Sequence, residues 1–330
     1  MEVLARDLKA MGLYLARSVS FDGVEYEILQ HDLTPAQVEM YNKYAQAYQI
    51  IHQNIHKAIE TTNAKNGRAK LNAYSKFEGA KQRFFNHLIT SIKCPTLIKS
   101  IEKDLEAGHS AVIQLVSTDE ALLDRRLASI PTNEWKDIKV DITPREYLFD
   151  YLINGFPVIL YETYTDENGN EHSRIVRDAE GNPIVSSEAL KQREELLEQL
   201  VFLPPLPSAL DQIINYFGYE NVAEVTSRSK RLVRVTTNES GAAALAERDR
   251  TEVQRRSLNA NIAETQAFMD GRKRILVFSQ AGGTGRSYHC DRQCQNQSKR
   301  IHVLLESGWR AESAIQGLGR TNRSNQVNPP

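Results

Sequence analysis

Three cysteines among 330 residues, Cys94, Cys290 and Cys294, are too few and fall too late in the chain to form a disulfide framework, which suits a reducing compartment. No apolar run approaches the roughly 20 residues that span a bilayer. The longest, such as Ser110 to Val116, are strand-sized, so a membrane-spanning protein is excluded. The opening MEVLARDLKAMG carries charge inside its only apolar stretch and lacks a small-residue cleavage site, so it does not read as a secretory signal. These absences predict a cytoplasmic location, or a nuclear one in a eukaryote. Also missing is any Gly-x-x-x-x-Gly-Lys-Ser/Thr, the loop that cradles a nucleotide's phosphates. What is present, 41% hydrophobic and 25% charged residues, is the composition of an ordinary globular chain, long enough for one large or two small domains.

A net charge of -1 conceals a strong asymmetry. From Thr226 to the end there are 18 Lys and Arg against 9 Asp and Glu, and before it 23 against 33, so the last third is +9 and the rest -10. This distribution points to an anion-facing C-terminal part, for nucleic acid or nucleotide phosphate; the alternative is a merely solvated basic face.

Thr34-Pro35 is an N-cap followed by proline at the first helical position. Val38, Tyr41, Tyr44, Tyr48, Ile51, Ile55 and Ile59 then recur at three- and four-residue steps, predicting an amphipathic helix of packing character. Before it, Phe21 to Glu27 alternates like a short strand. A polar turn at Asn66-Gly67 precedes a helix from Leu71 to about Ile92 that ends at Cys94-Pro95, and another helix runs from Thr96 to Glu106. Ser110 to Val116 reads as a buried parallel strand with a helix following from Asp119. Pro157–Tyr164 and Ser173–Arg177 flank the turn Asp166–Asn170 as a β-ribbon, and helices are predicted over Ser187–Leu203, Ser208–Phe217, Thr251–Met269 and Glu312–Leu318. Arg274–Ser279 and Ile301–Glu306 complete an α/β alternation.

Two segments carry chemistry. After the strand at Ile275 comes a loop with Gly282, Gly283 and Gly285, where absent side chains let backbone N–H groups approach an anion, with Thr284 and Ser287 as hydroxyl donors and Arg286 as a cation. Alone, it is equally a tight turn. The second segment is Gln316-Gly-Leu-Gly319-Arg320-Thr-Asn-Arg323, a Gln-x-x-Gly-Arg-x-x-Arg pattern. Arg320 and Arg323, three apart at a helix end, can face one neighbouring site. A guanidinium fork matches phosphoryl oxygens and keeps its charge, while Gly319 allows a close backbone approach. Its alternative is an exposed basic helix end.

In order and spacing, the two segments resemble motifs V and VI of superfamily 2 helicases and translocases; the Ala-Gly-Gly-x-Gly loop, Trp309 and the arginine run are similar to those of Swi/Snf-type ATPases. More narrowly, Met11-Gly-Leu-Tyr-Leu-Ala-Arg-Ser-Val-Ser-Phe-Asp-Gly-Val24, Leu33-Thr-Pro-Ala-Gln-Val38, Val112-Ile-Gln-Leu-Val-Ser-Thr118, Asn221-Val-Ala-Glu-Val-Thr226, Phe268-Met-Asp-Gly271 and Arg320-Thr-Asn-Arg-Ser-Asn-Gln-Val327 resemble the strawberry notch helicase family along nearly the whole chain. The resemblance implies an α/β, RecA-like (P-loop NTPase type) fold, a parallel sheet flanked by helices with a helical and β-ribbon insertion. It further implies the second RecA-like domain of a DNA-dependent ATPase. Ser117 and Thr118 then match motif IV, and Thr284 with Gly285 matches the motif V loop that touches the nucleic-acid backbone and links it to ATP, so that Ser117, Thr118, Thr284 and Arg286 are the implied nucleic-acid contacts. Gly283 and Gly285 match motif V, while Gln316, Gly319, Arg320 and Arg323 match motif VI. The two arginines would reach ATP with Mg2+ held by a first RecA-like domain, the expected partner besides DNA.

The expected organisation is a helical lead-in over 1–108, the motif IV region over 109–133, an insertion over 134–225, and motifs V and VI over 226–330. With no phosphate loop, the chain reads as beginning after the first RecA-like domain and stopping just after motif VI. As a lone chain it should not hydrolyse ATP; the competing reading is a non-enzymatic scaffold of transcription. Asp119-Glu120 mimics a Mg2+-binding Asp-Glu box but has no phosphate loop upstream. His52 with His56, and Cys290 and Cys294 with His289 and His302, lack a complete ligand pattern, so no metal site is expected. Arg292, Lys299 and Arg300 are expected to extend the basic surface.

Overall fold

The computed structural model describes residues 2–12, 23–64, 68–118, 120–128, 130–136, 146–204, 206–235, 250–257, 259–280, 285–323 and 325–330. In chain order its elements are α1 (Glu2–Ala10), α2 (Pro35–Thr61), α3 (Arg68–Glu106), β1 (Ser110–Leu115), α4 (Glu120–Ala128), α5 (Glu146–Asn154), β2 (Tyr161–Thr165) and β3 (Glu171–Ile175). They continue with α6 (Ser187–Leu200), α7 (Ala209–Phe217), β4 (Val222–Val225), β5 (Lys230–Val235), β6 (Arg250–Arg255), α8 (Ala260–Met269), β7 (Ile275–Ser279), β8 (Arg300–Leu304) and α9 (Ala311–Leu318).

The central sheet has four parallel strands in the order β4-β7-β1-β8. Strands β1, β4 and β7 are buried along their whole lengths because both faces are covered, which explains their mostly apolar sequences; the exceptions, Gln114 in β1 and Glu224 in β4, have polar partners. On one face, Cys94, Leu97 and Ile101 of α3 and Leu210, Ile213 and Ile214 of α7 pack on Ala111, Ile113, Val222, Ile275 and Val277. On the other, Phe268 of α8 and Tyr288 pack on Val112, Ala223, Val225, Leu276 and Phe278. This is the RecA-like α/β arrangement.

A second core is mainly helical. Tyr44, Tyr48, Ile51 and Ile55 of α2 meet Phe77, Phe84 and Leu88 of α3, with Leu148 and Leu152 of α5 and Leu196 and Leu200 of α6. The expected N-cap Thr34 starts α2 and is part of a reciprocal capping box: Thr34 Oγ1 accepts from the Gln37 N–H at 3.3 Å, and the Gln37 side chain accepts from the Thr34 N–H at 2.9 Å. The strand-ribbon β2–β3 also forms, and its turn Asp166–Asn170 recurs at Asp178–Asn182. In each turn an aspartate carboxylate accepts two following backbone N–H groups and a glycine adopts positive φ.

Three expectations are corrected. Helix α3 runs unbroken through Pro95 rather than ending there. The proline lacks the N–H that Ser91 would accept, and Gln212 Nε2 of α7 donates to the Ser91 carbonyl instead, at 3.2 Å. Residues 251–255, predicted as the start of a helix, belong instead to β6, because Thr251, Val253 and Arg255 alternate and pair in register with β5. Residues 24–33 form no strand; the expected strand's first residues, 21 and 22, lie outside the described residues. The turn at Asn66-Gly67 and Asp119 also lie outside them. Among the described residues no helix is long and apolar enough to cross a membrane.

Candidate functional site

In an open parallel sheet, ligands gather beyond the carboxyl ends of the strands. There the chain brings together the segments after β1, β7 and β8. Ser117 and Thr118 follow β1. The Glu306 carboxylate, after β8, accepts from the backbone N–H groups of Val116 and Ser117 at 3.0 Å each and from the Ser117 hydroxyl at 3.4 Å. That tie fixes the following loop, in which Trp309 is 72% exposed beside exposed Arg310. Gly308 permits the turn: its φ is +71°, and a Cβ would stand 3.0 Å from Val116.

Gly283 and Thr284 lie outside the described residues. Gly285 has φ +76°, so the loop after β7 does require glycine there. Arg286 follows, and its carbonyl accepts from Arg320 Nη1 at 2.9 Å. The Arg320 guanidinium lies 5.8 Å from the centre of the Phe278 ring. Partial burial, reinforced by the nearby Arg323 cation, lowers its pKa, while Tyr288 opposes that shift. Burial also pushes the Tyr288 phenol up to about 12. Arg323 and Gln316 are exposed.

The tail bearing these arginines is strapped to the segment after the glycine loop. The Tyr288 N–H donates to the Arg320 carbonyl at 2.7 Å, and the Val327 N–H to the Cys290 carbonyl at 2.9 Å. Below the tail, His302 Nδ1 is 2.7 Å from Thr321 Oγ1, and its Nε2 is 3.2 Å from Gln114 Oε1. Burial holds the His302 pKa down to about 3, so the ring is neutral. Helix α9 approaches β1 at Gly317, where a Cβ would overlap the Gln114 amide. Gly319, two residues later, ends the helix with φ -63°.

Arg300 is another correction. It is fully buried rather than part of a basic surface, donating to the carbonyls of Tyr288, Ser298 and Asn296 at 3.1, 2.7 and 2.8 Å. Among the described residues no group of three His, Cys, Asp or Glu is placed to hold a metal ion. Cys290 Sγ donates to Gln297 Oε1 at 3.3 Å and Cys294 Sγ to the Asn296 carbonyl at 3.1 Å, whereas His302 belongs to the Thr321 contact.

One cluster had no signal in the sequence beyond its charges. Glu224, fully buried in β4, pairs with Arg228 at 3.0 Å, Arg256 at 3.5 Å and Arg231 at 3.8 Å, and Arg228 also reaches Asp211 at 2.9 Å. Burial pushes the Glu224 pKa up, but Arg228 and Arg256 outweigh it and hold it at about 2. The cluster anchors the β5–β6 ribbon to the sheet's edge strand.

Comparison with known proteins accords with this geometry. A family model described as the C-terminal domain on Strawberry notch homologue matches residues 208–330, and one described as P-loop containing NTP hydrolase pore-1 matches residues 1–43. The whole chain is 29% identical to Protein strawberry notch homolog 1 of Rattus norvegicus, covering 30% of it, and 26% identical to Protein FORGETTER 1 of Arabidopsis thaliana, covering 33%. A stretch making up 43% of the chain is 41% identical to Protein strawberry notch of Drosophila melanogaster, covering 8% of it. No solved structure matches. The chain thus spans about a third of the length of the curated relatives it matches end to end. Fold, site and matches together define a C-terminal helicase-type domain with a RecA-like sheet. The chain is similar along its whole length to strawberry notch proteins, and its residues 208–330 match their C-terminal domain.

Proposed function

We propose that this chain is the second RecA-like half of an ATP-dependent DNA translocase or helicase, completed by a domain that holds ATP and Mg2+. The observation that carries this reading is the pair Arg320 and Arg323, three residues apart just after α9, where Arg323 lies near enough to disfavour the charge of Arg320 and Arg320 sits against the Phe278 ring at the carboxyl end of β7. Two crowded cations on one edge of a sheet are relieved by a polyanion. The Arg286 carbonyl and the Phe278 ring orient Arg320 before a phosphate arrives, which reduces the ordering left to do in the transition state.

The chain has no phosphate loop, so its residues do not fit a complete ATP site; they fit the arginine side of one. ATP supplies the phosphoryl group. Arg320 and Arg323 stabilise the charge that develops on it, with Gln316, Gly319, Gly283 and Gly285 completing the nucleotide-facing edge. Ser117, Thr118, Thr284 and Arg286 would meet the DNA backbone, where Trp309 adds an exposed stacking face next to Arg310. In the two-domain protein, Arg320→Ala or Arg323→Ala should lower DNA-stimulated ATP turnover by about 10³-fold, the contribution of an arginine finger. Turnover retained by both variants would overturn this reading.

A further inference from the structure

Six apolar side chains stand in solvent along one short piece of chain: Tyr26 is 92% exposed, Ile28 84%, Leu33 52%, Leu29 48%, Val38 41% and Tyr41 39%. Scattered apolar residues are ordinary on a surface, but a contiguous group marks a contact. Val38 and Tyr41 belong to the same stripe of α2 whose later members, Tyr44 to Ile59, are buried in the helical core. The first turns of α2 thus carry an apolar face that this chain covers only in part, the Tyr41 ring meeting Phe85 at 5.4 Å while Val38 stays 41% exposed. A shallow cavity of about 480 Å³ opens within the group, lined by Leu33, Pro35 and Val38 together with Asn42 and Lys43.

The segment is held in place. His31 Nδ1 is 2.7 Å from Thr96 Oγ1, and Gln37 Nε2 donates to the Ile92 carbonyl at 3.1 Å. At its start, the Cβ position of Gly23 is 3.7 Å from Pro329. The exposed group therefore extends from the tail beyond Arg323 to the flank of α3. What covers it is indicated by the family matches: the similarity to a P-loop NTP hydrolase ends at residue 43, just past Tyr41, and this chain covers only 30% of a relative that it matches end to end.

We infer that Tyr26, Ile28, Leu29, Leu33, Val38 and Tyr41 dock the body of a P-loop NTP hydrolase domain, seating it beside the tail that carries Arg320 and Arg323. The inference rests on the two-domain reading above only in requiring that such a domain be present; it does not require that domain to hydrolyse ATP.

The test uses the protein as its native host makes it, with p-benzoylphenylalanine at position 26 or 28, irradiated and mapped by mass spectrometry. Cross-links should fall on the domain containing Gly-x-x-x-x-Gly-Lys-Ser/Thr. Cross-links to a second copy of this chain, to any other protein, or to nothing overturn the proposal. In parallel, Ile28→Ser with Val38→Ser should leave this chain's circular dichroism unchanged and weaken its association with the isolated P-loop domain at least tenfold. Arg320→Ala should associate as the unaltered chain does. If the double variant binds normally while Arg320→Ala abolishes turnover, the docking surface is wrong and the motor reading stands. If docking depends on the surface but the pair never hydrolyses ATP, the docking surface stands and the motor reading falls.

Discussion

Replacing Gly317 with alanine sets two effects of opposite sign against each other. Inside a helix, glycine to alanine gains about 1 kcal/mol from reduced backbone entropy. Against that, the new Cβ would overlap the Gln114 amide. Gln114 is 5% exposed and cannot swing away freely, because Oε1 is bound to His302 at 3.2 Å and Nε2 reaches the Ser313 carbonyl at 3.5 Å. Overpacking typically costs about 1–3 kcal/mol, and losing the buried His302 contact adds about 1–3 kcal/mol. Gly317→Ala should therefore destabilise the chain by roughly 2 kcal/mol net, seen as a lower urea midpoint at unchanged slope. In a Gln114→Ala background the overlap disappears, and the same substitution should become neutral or favourable. That reversal amounts to a coupling of about 2–3 kcal/mol. If Gly317→Ala is as stable as the unaltered chain, Gln114 yields easily and α9 is not held against β1 in the way described.

Glu224→Gln should cost about 3–5 kcal/mol in urea unfolding, because three arginines would lose their buried counter-charge. His302 gives a pH signature. Its folded pKa of about 3 lies below the ordinary value of 6.5, so as pH falls below 6.5 the unfolded chain takes up a proton that the folded chain refuses. Stability should drop by at most about 2 kcal/mol between pH 7 and pH 5, and His302→Gln should flatten that slope. Glu224 acts lower: its depressed pKa contributes stability that is present above about 4.5 and lost as pH falls towards 2, so the two groups separate in a stability–pH curve. Arg300→Met should cost about 3 kcal/mol and speed amide exchange across residues 288–299, whose carbonyls it now holds.

Features governed by neighbouring residues were legible in the sequence, whereas those that depend on a distant partner were not. The Thr34–Pro35 helix start and the largely apolar runs of β1 and β7 are local, and each forms where the sequence predicts. Pro95 reads as a helix stop because nothing near it shows that Gln212, far along the chain, supplies the missing donor to Ser91. Strand β6 is recognisable only once β5 lies beside it, since Thr251 to Arg255 adjoins a helical stretch. In the site, the Gln-x-x-Gly-Arg-x-x-Arg spacing identifies the arginines, but the Phe278 ring under Arg320 and the His302–Thr321 contact arise from strands that meet only in the fold. Arg300 looked solvated because one-dimensional charge counts do not reveal the carbonyls waiting for it.

The most direct measurement is DNA-stimulated ATP hydrolysis by this chain alone and by the same chain joined to a P-loop NTP hydrolase domain. The account predicts no turnover from the chain alone and DNA-dependent turnover from the joined protein, abolished by Arg320→Ala. Hydrolysis by the chain alone, or turnover in the joined protein that is indifferent to Arg320 and Arg323, would contradict it.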